Sequence, residues 1–166
     1  DLKTTSDYVS PIIDLQRASL TLVEQCIDDP DQASADQTIS VWSTDETEPS
    51  GGSTGSKHIT TPVTLEVPAV GIDVQADLSL PPGSGVDFYY RTAVAGEDIT
   101  LSNWIYKPPV SSVANTAAGQ FTRANYLPGG QGGSLKEFTQ VQTKYVMKGT
   151  IESPAIRGLN IKYLAT

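Results

Sequence analysis

Ser53 is the residue whose setting most suggests chemistry. It lies in Gly51-Gly52-Ser53-Thr54-Gly55, the G-x-S-x-G spacing of a nucleophile elbow, and the chain's one histidine, His58, follows closely. A nucleophilic serine needs a sharp strand-to-helix turn, with an imidazole and an acid converging on it. The surrounding residues supply neither element. Glu48 to Ser56 is a Gly/Ser connector by composition, with no strand signal before it and no helix signal after it. The spacing therefore reads as linker, and the chain is expected to carry no catalytic residues.

Three other groups invite a chemical reading. Asp28, Asp29 and Asp31 offer oxygens for Ca²⁺, but Pro30 interrupts them and no EF-hand spacing is present. A solvated turn is the simpler reading, and no metal or other cofactor is expected. Gly129-Gly130-Gln131-Gly132-Gly133 has the glycines of a phosphate loop without the Lys-Ser/Thr that completes one, so it reads as a turn. Trp42, Trp104, Tyr106 and Tyr126 together would make a sugar-stacking platform. Aromatic residues in small β domains more often anchor cores and interfaces.

Charge narrows the classes of partner. The net charge of −8 over 166 residues argues against nucleic acid, whose phosphates require Lys and Arg patches. The apolar runs are too short to span a bilayer as helices. Between Arg17 and Lys57 there is no base but there are eight carboxylates, at 24, 28, 29, 31, 36, 45, 46 and 48; elsewhere acids and bases balance. Such a stretch is either solvated loop or a surface matched to a basic partner. Little apolar area is available to order it alone. We therefore expect a partner interface there, with Trp42 as anchor and Asp45, Glu46 and Glu48 facing basic groups. The single Cys26 excludes an internal disulfide framework and reads as a small buried hydrophobe. The chain opens at Asp1 without Met, which suggests a segment of a longer polypeptide or a processed product.

The elements that would position these residues are strands. The 14 Gly and 11 Pro predict many turns and few long helices. Val141, Thr143, Tyr145 and Met147 alternate with Gln140, Gln142, Lys144 and Lys148, predicting a strand over Phe138–Lys148 with one buried face. Leu159, Ile161 and Tyr163 repeat the pattern, and 149–154 reads as the turn of a hairpin joining the two. Val63–Val67, Val70–Leu80 and Val86–Thr92 alternate likewise, with Pro81-Pro82-Gly83-Ser84-Gly85 as a second hairpin turn. Tyr8 to Leu15 reads as extended, Ser19 to Asp28 as strand rather than helix, and Thr38 to Trp42 as one short strand.

These signals predict an all-β fold, an antiparallel β-sandwich of jelly-roll type with long Gly/Pro-rich loops. Residues 1–7 would be an arm or linker and 8–166 a single domain, with an acidic, Gly/Ser-rich loop at about 28–56. The expected core is Leu65, Ile72, Val74, Leu78, Phe88, Tyr90, Val141, Tyr145, Met147, Leu159 and Ile161.

Several segments resemble one family. Tyr8-Val-Ser-Pro-Ile-Ile-Asp-Leu-Gln-Arg-Ala-Ser19, Lys57-His-Ile-Thr-Thr-Pro-Val-Thr-Leu65, Gly71 to Gly83, Val86-Asp-Phe-Tyr-Tyr-Arg-Thr92 and Phe138 to Leu164 look like consecutive stretches of baseplate wedge proteins and related virion proteins of T-even-like contractile-tailed phages, marine and cyanobacterial ones included. The resemblance covers nearly all of 8–164. It implies a non-enzymatic structural component of the tail baseplate, made in the host cytoplasm and built into the virion. The implied partners are other virion proteins or copies of the chain itself, with no nucleic acid and no membrane. It carries no catalytic positions. The competing expectation is a β-sandwich that binds carbohydrate or another host-surface component.

Overall fold

The alternating segments are strands in the computed structural model, which describes residues 45–54, 56–117, 119–131, 134–149 and 152–165, and the backbone of 9–14 and 19–24. Cys26, Asp28, Asp29, Asp31 and the expected strand at Thr38–Trp42 lie outside the described residues, as do the expected 1–7 arm and residues 28–44 of the expected acidic loop. Strands β1 (Val9–Asp14) and β2 (Ser19–Glu24) pair antiparallel as a two-stranded sheet, from Val9↔Glu24 to Asp14↔Ser19. Seven strands form the main sheet: β3 (Lys57–Ile59), β4 (Val63–Ser79), β5 (Gly85–Ala93), β6 (Ile105–Tyr106), β7 (Thr122–Tyr126), β8 (Phe138–Lys148) and β9 (Ala155–Ala165).

The jelly-roll expectation is overturned. A single antiparallel sheet of seven strands curls 191° around an axis and leaves its edges 10 Å apart, an open half-barrel rather than a closed two-sheet sandwich. Period-two alternation says that a strand buries one face. It does not say whether an opposing sheet or the curl of the same sheet covers that face. Here β4, 17 residues long, is shared along its length. Its first residues pair with β8, and 74–78 pair with β7 on one edge and β9 on the other. Curl is helped by irregular registers, where extra residues bend a strand. One lies between Thr64 and Ala69, another between Ala69 and Gly71.

Neither expected hairpin forms. β8 inserts between β5 and β4, so the Pro-Pro-Gly turn joins strands that are not neighbours. β9 pairs with β4, and β8 has no edge to offer it. One edge of β8 is taken by β5 from Gly85↔Lys148 to Ala93↔Gln140, the other by β3 and β4.

The core face follows the alternation closely. Ile72, Val74, Ala76 and Leu78 of β4 pack with Phe88 and Tyr90 of β5, Ala124 and Tyr126 of β7, and Val141 and Tyr145 of β8. The Phe88 ring lies 4.9 Å from Tyr126 and 5.2 Å from Tyr145 between centroids, tilted contacts that favour aromatic pairs. Leu65, Met147 and Ile161 are only half-buried, and Leu159 is exposed. Leu159 is displaced by a bulge. Between Gln75↔Asn160 and Asp77↔Arg157, β9 carries one more residue than β4, and Gly158 there has φ +61°. The extra residue inverts the alternation, so Ile156 instead of Leu159 packs toward the core.

Candidate functional site

The face of β8 that sequence assigned to solvent is buried. Lys144 has 0 % relative exposure, Val146 is equally enclosed, and Gln142 is buried with them. The cover is the 45–54 segment and the 98–104 segment, brought over the sheet's outer face. Trp104 N–H donates to the Thr47 carbonyl at 2.8 Å, linking the two covers. Trp104, Tyr89 and Val146 form a small second core beneath them.

Lys144 holds this cover down. Its ammonium has three N–H donors, and three acceptors meet them: the Glu46 carbonyl, Glu46 Oε2 at 2.8 Å and the Gly51 carbonyl at 3.0 Å. Glu46 Oε1 accepts from Thr54 N–H at 2.9 Å. Gly52 is required by this packing, because a Cβ there would come 2.3 Å from Glu46 Oε1 and the backbone has φ +78°. Lys57 Nζ reaches the carbonyls of Gly51 and Gly52. Arg91 does the same from β5: Nε donates to Gln142 Oε1 at 2.8 Å, and Nη1 lies within 3.2 Å of the carbonyls of Pro49, Thr100 and Ser102. The Arg91 guanidinium lies 4.3 Å from the Trp104 ring centroid and Lys144 Nζ 5.1 Å from it.

Burial pushes the Lys144 amine below its ordinary range, while the hydrogen bond and charge of Glu46 oppose that shift. Burial alone would raise the Glu46 carboxyl. Its hydrogen bonds from Lys144 and Thr54, with the Lys144 charge, outweigh the burial and leave it below the usual carboxylate range. Every donor of Lys144 is engaged, so the amine offers no free position to a substrate. The arrangement is a clamp that ties a loop to a sheet.

The residues singled out from sequence are scattered. Glu46, expected to face a partner, has 3 % exposure and faces Lys144 of its own chain. Asp45 is exposed and accepts from Ser53 N–H and Oγ–H through Oδ1 at 3.0 and 3.2 Å. Glu48 is exposed in the adjoining turn, and Trp42 lies outside the described residues. Ser53 is thus bonded to a carboxylate, and strand β3 rather than a helix follows it. The sugar platform is not assembled. Trp104 and Tyr126 are buried on opposite faces of the sheet, while Tyr106 is half-exposed beside Tyr89. Gly129 and Gly130 form a turn with φ +86° and +72°, closed by Gly130 N–H to the Leu127 carbonyl and Ser134 N–H to the Gly129 carbonyl. Among the described residues no group of three or more His, Cys, Asp or Glu could hold a metal ion, and no helix is long and apolar enough to cross a membrane.

Sequence reading missed Lys144, Arg91 and Gln142 as interior groups. Their one signal was position: each stands mid-strand between residues of the core face. No protein-family model, curated protein or solved structure matches the chain.

Proposed function

We propose that the chain is a non-catalytic structural module that assembles with other protein chains in a phage virion, in the tail baseplate. The observation that carries the assembly reading is strand β9. It runs 11 residues at the end of the sheet, is paired with β4 alone among the described residues, and exposes Leu159. An edge of that length is a template for another chain's strand, and isolated proteins usually blunt such edges. The interior charges point the same way. Lys144 and Arg91 are spent on holding loops over the sheet, which gives rigidity to a scaffold. The resemblance of Gly71 to Gly83, Val86 to Thr92 and Phe138 to Leu164 to baseplate wedge proteins supports the finer assignment.

Lys162 lies on β9 and is exposed, so an amine-reactive cross-linker reports on this edge. In the native particle Lys162 should cross-link to residues of neighbouring chains. Cross-links from Lys162 confined to its own chain, in particles where other lysines do link between chains, would reject the assembly reading.

A further inference from the structure

The outer face of the sheet has two halves. One lies under the Lys144 clamp. The other, across β7, β4 and β9, carries no such cover among the described residues and is laid out in polar rows. Asn125, Gln75 and Asn160 are register partners and form a row of three amides on adjacent strands. Strands stand ~4.8 Å apart, so the amides are evenly spaced across the face. The row on one side is Arg123, Asp77 and Arg157, and the row on the other pairs Asp73 with Lys162. The charged row is internally satisfied, with Arg123 Nε on Asp77 Oδ1 at 3.0 Å and Arg157 3.8 Å from the Phe121 ring centroid. The amide row is not. Among the described residues the side chains of Asp73, Gln75, Asn125, Gln131 and Asn160 make no hydrogen bond.

A hollow of about 360 Å³ opens over Gln75 and Asn125, within the size range of small-ligand sites, and a second of about 390 Å³ adjoins it beyond Gln131. Asp73, Gln75 and Asn125 floor the first, and Gln131 borders both. Pro108-Pro109-Val110 stands over them as a wall, fixed by Val110 N–H donating to the Asn125 carbonyl at 2.8 Å. Leu127 and Leu164 supply aliphatic surface.

We propose that this groove is a binding site for a neutral saccharide. Amides both donate and accept, and a carboxylate accepts, which matches the hydroxyls of a sugar ring. Val110, Leu127 and Leu164 offer contact to the ring's C–H face. Asp73 is the one charged residue lining the first hollow, and its carboxylate disfavours anionic sugars and phosphates there. Gln75 stands on β4 between β7 and β9, so its strand offers no free backbone ladder to an extended peptide. The proposal does not depend on the assembly reading.

The test is a glycan array of neutral and sialylated oligosaccharides probed with the full chain, followed by NMR titration of the strongest neutral hit. Chemical-shift changes should centre on Asp73, Gln75, Asn125, Gln131 and Leu164. Gln75→Ala and Asn125→Ala should each weaken binding about tenfold, the worth of one lost hydrogen bond of ordinary strength. Gln131→Ala, in a loop outside the sheet, gives the same readout without touching the strands. A blank array overturns the proposal. So do preference for sialylated glycans, shifts that fall elsewhere, or affinity unchanged in all three variants. Shifts at these residues with a proline-rich peptide and not with any glycan would assign the groove to peptide and likewise overturn it.

Discussion

Glu46 Oε2 accepts a hydrogen bond from Lys144 Nζ at 2.8 Å although 98 residues separate them in sequence, and both side chains are almost wholly enclosed. Removing one partner strands the other charge in the interior. Lys144→Met should therefore destabilise the protein by about 3–5 kcal/mol, as buried pairs do when broken. The double variant Glu46→Leu/Lys144→Met should cost clearly less than the two single changes together, because no lone charge remains. Urea unfolding of the four proteins decides this. Additive costs would mean that the two groups do not act as a pair.

Acid should loosen this clamp first. The Glu46 carboxyl titrates below its ordinary value of 4.5 when folded, so the unfolded chain binds the proton more readily. Its contribution is complete above the unfolded pKa near 4.5 and is lost as pH falls through the lower folded value. Asp77 and Asp98 are lowered as well, chiefly by hydrogen bonds from Arg123 and Thr100, and add to the same limb. The slope of stability against pH below 4.5 should accordingly be shallower in Glu46→Gln than in the parent. Equal slopes in the two proteins would remove Glu46 from the acid response.

On the alkaline side the tyrosines matter. Burial pushes Tyr126 up to about 12 from 10.0. A raised folded pKa gives stability that is whole below 10.0 and is lost as pH rises toward 12. Tyr89 and Tyr145 shift in the same direction, again through burial. Tyr126→Phe should flatten, not abolish, the fall in stability above pH 10.0, measured by thermal unfolding. An unchanged alkaline limb would contradict the buried setting of its hydroxyl.

Core substitutions should separate full from partial burial. Ile72 is wholly enclosed, and Ile72→Ala should cost about 2–5 kcal/mol. Ile161 packs on the core from β9 but stays half-exposed, so Ile161→Ala should cost distinctly less than Ile72→Ala. Equal midpoint shifts in denaturant would show that the β9 edge is more deeply covered than this sheet alone provides.

Gly52 tests the loop itself. Its positive φ and the 2.3 Å approach of a would-be Cβ to Glu46 Oε1 leave no room for a side chain. Gly52→Ala should therefore destabilise by more than the ~1 kcal/mol of backbone strain alone. A neutral Gly52→Ala would mean that the loop seats differently.

Where β4, β5 and β8 run, and which of their residues point inward, was legible in the sequence; β7, which brings Ala124 and Tyr126 to the core, was not. Phe138 to Lys148 was read as strand from its alternation and is one in full, and Ile72, Val74, Leu78, Phe88, Tyr90, Val141 and Tyr145 are core as expected. Alternation is a local property, and backbone geometry turns it directly into faces. Pairing is not local. That β8 enters between β5 and β4, and that one sheet curls upon itself where two were expected, depends on contacts between segments tens of residues apart. The candidate sites were hidden for the same reason. Lys144 looks solvent-facing until a loop from far upstream brings Glu46 and Gly51 onto it. Gln75, Asn125 and Asn160 are unremarkable residues of three separate strands until register sets them side by side. The sequence by itself determined the long strands β4, β5 and β8 and their inner face; the tertiary structure alone decided what covers the outer one, because a charge or amide takes its role from the neighbours that folding delivers.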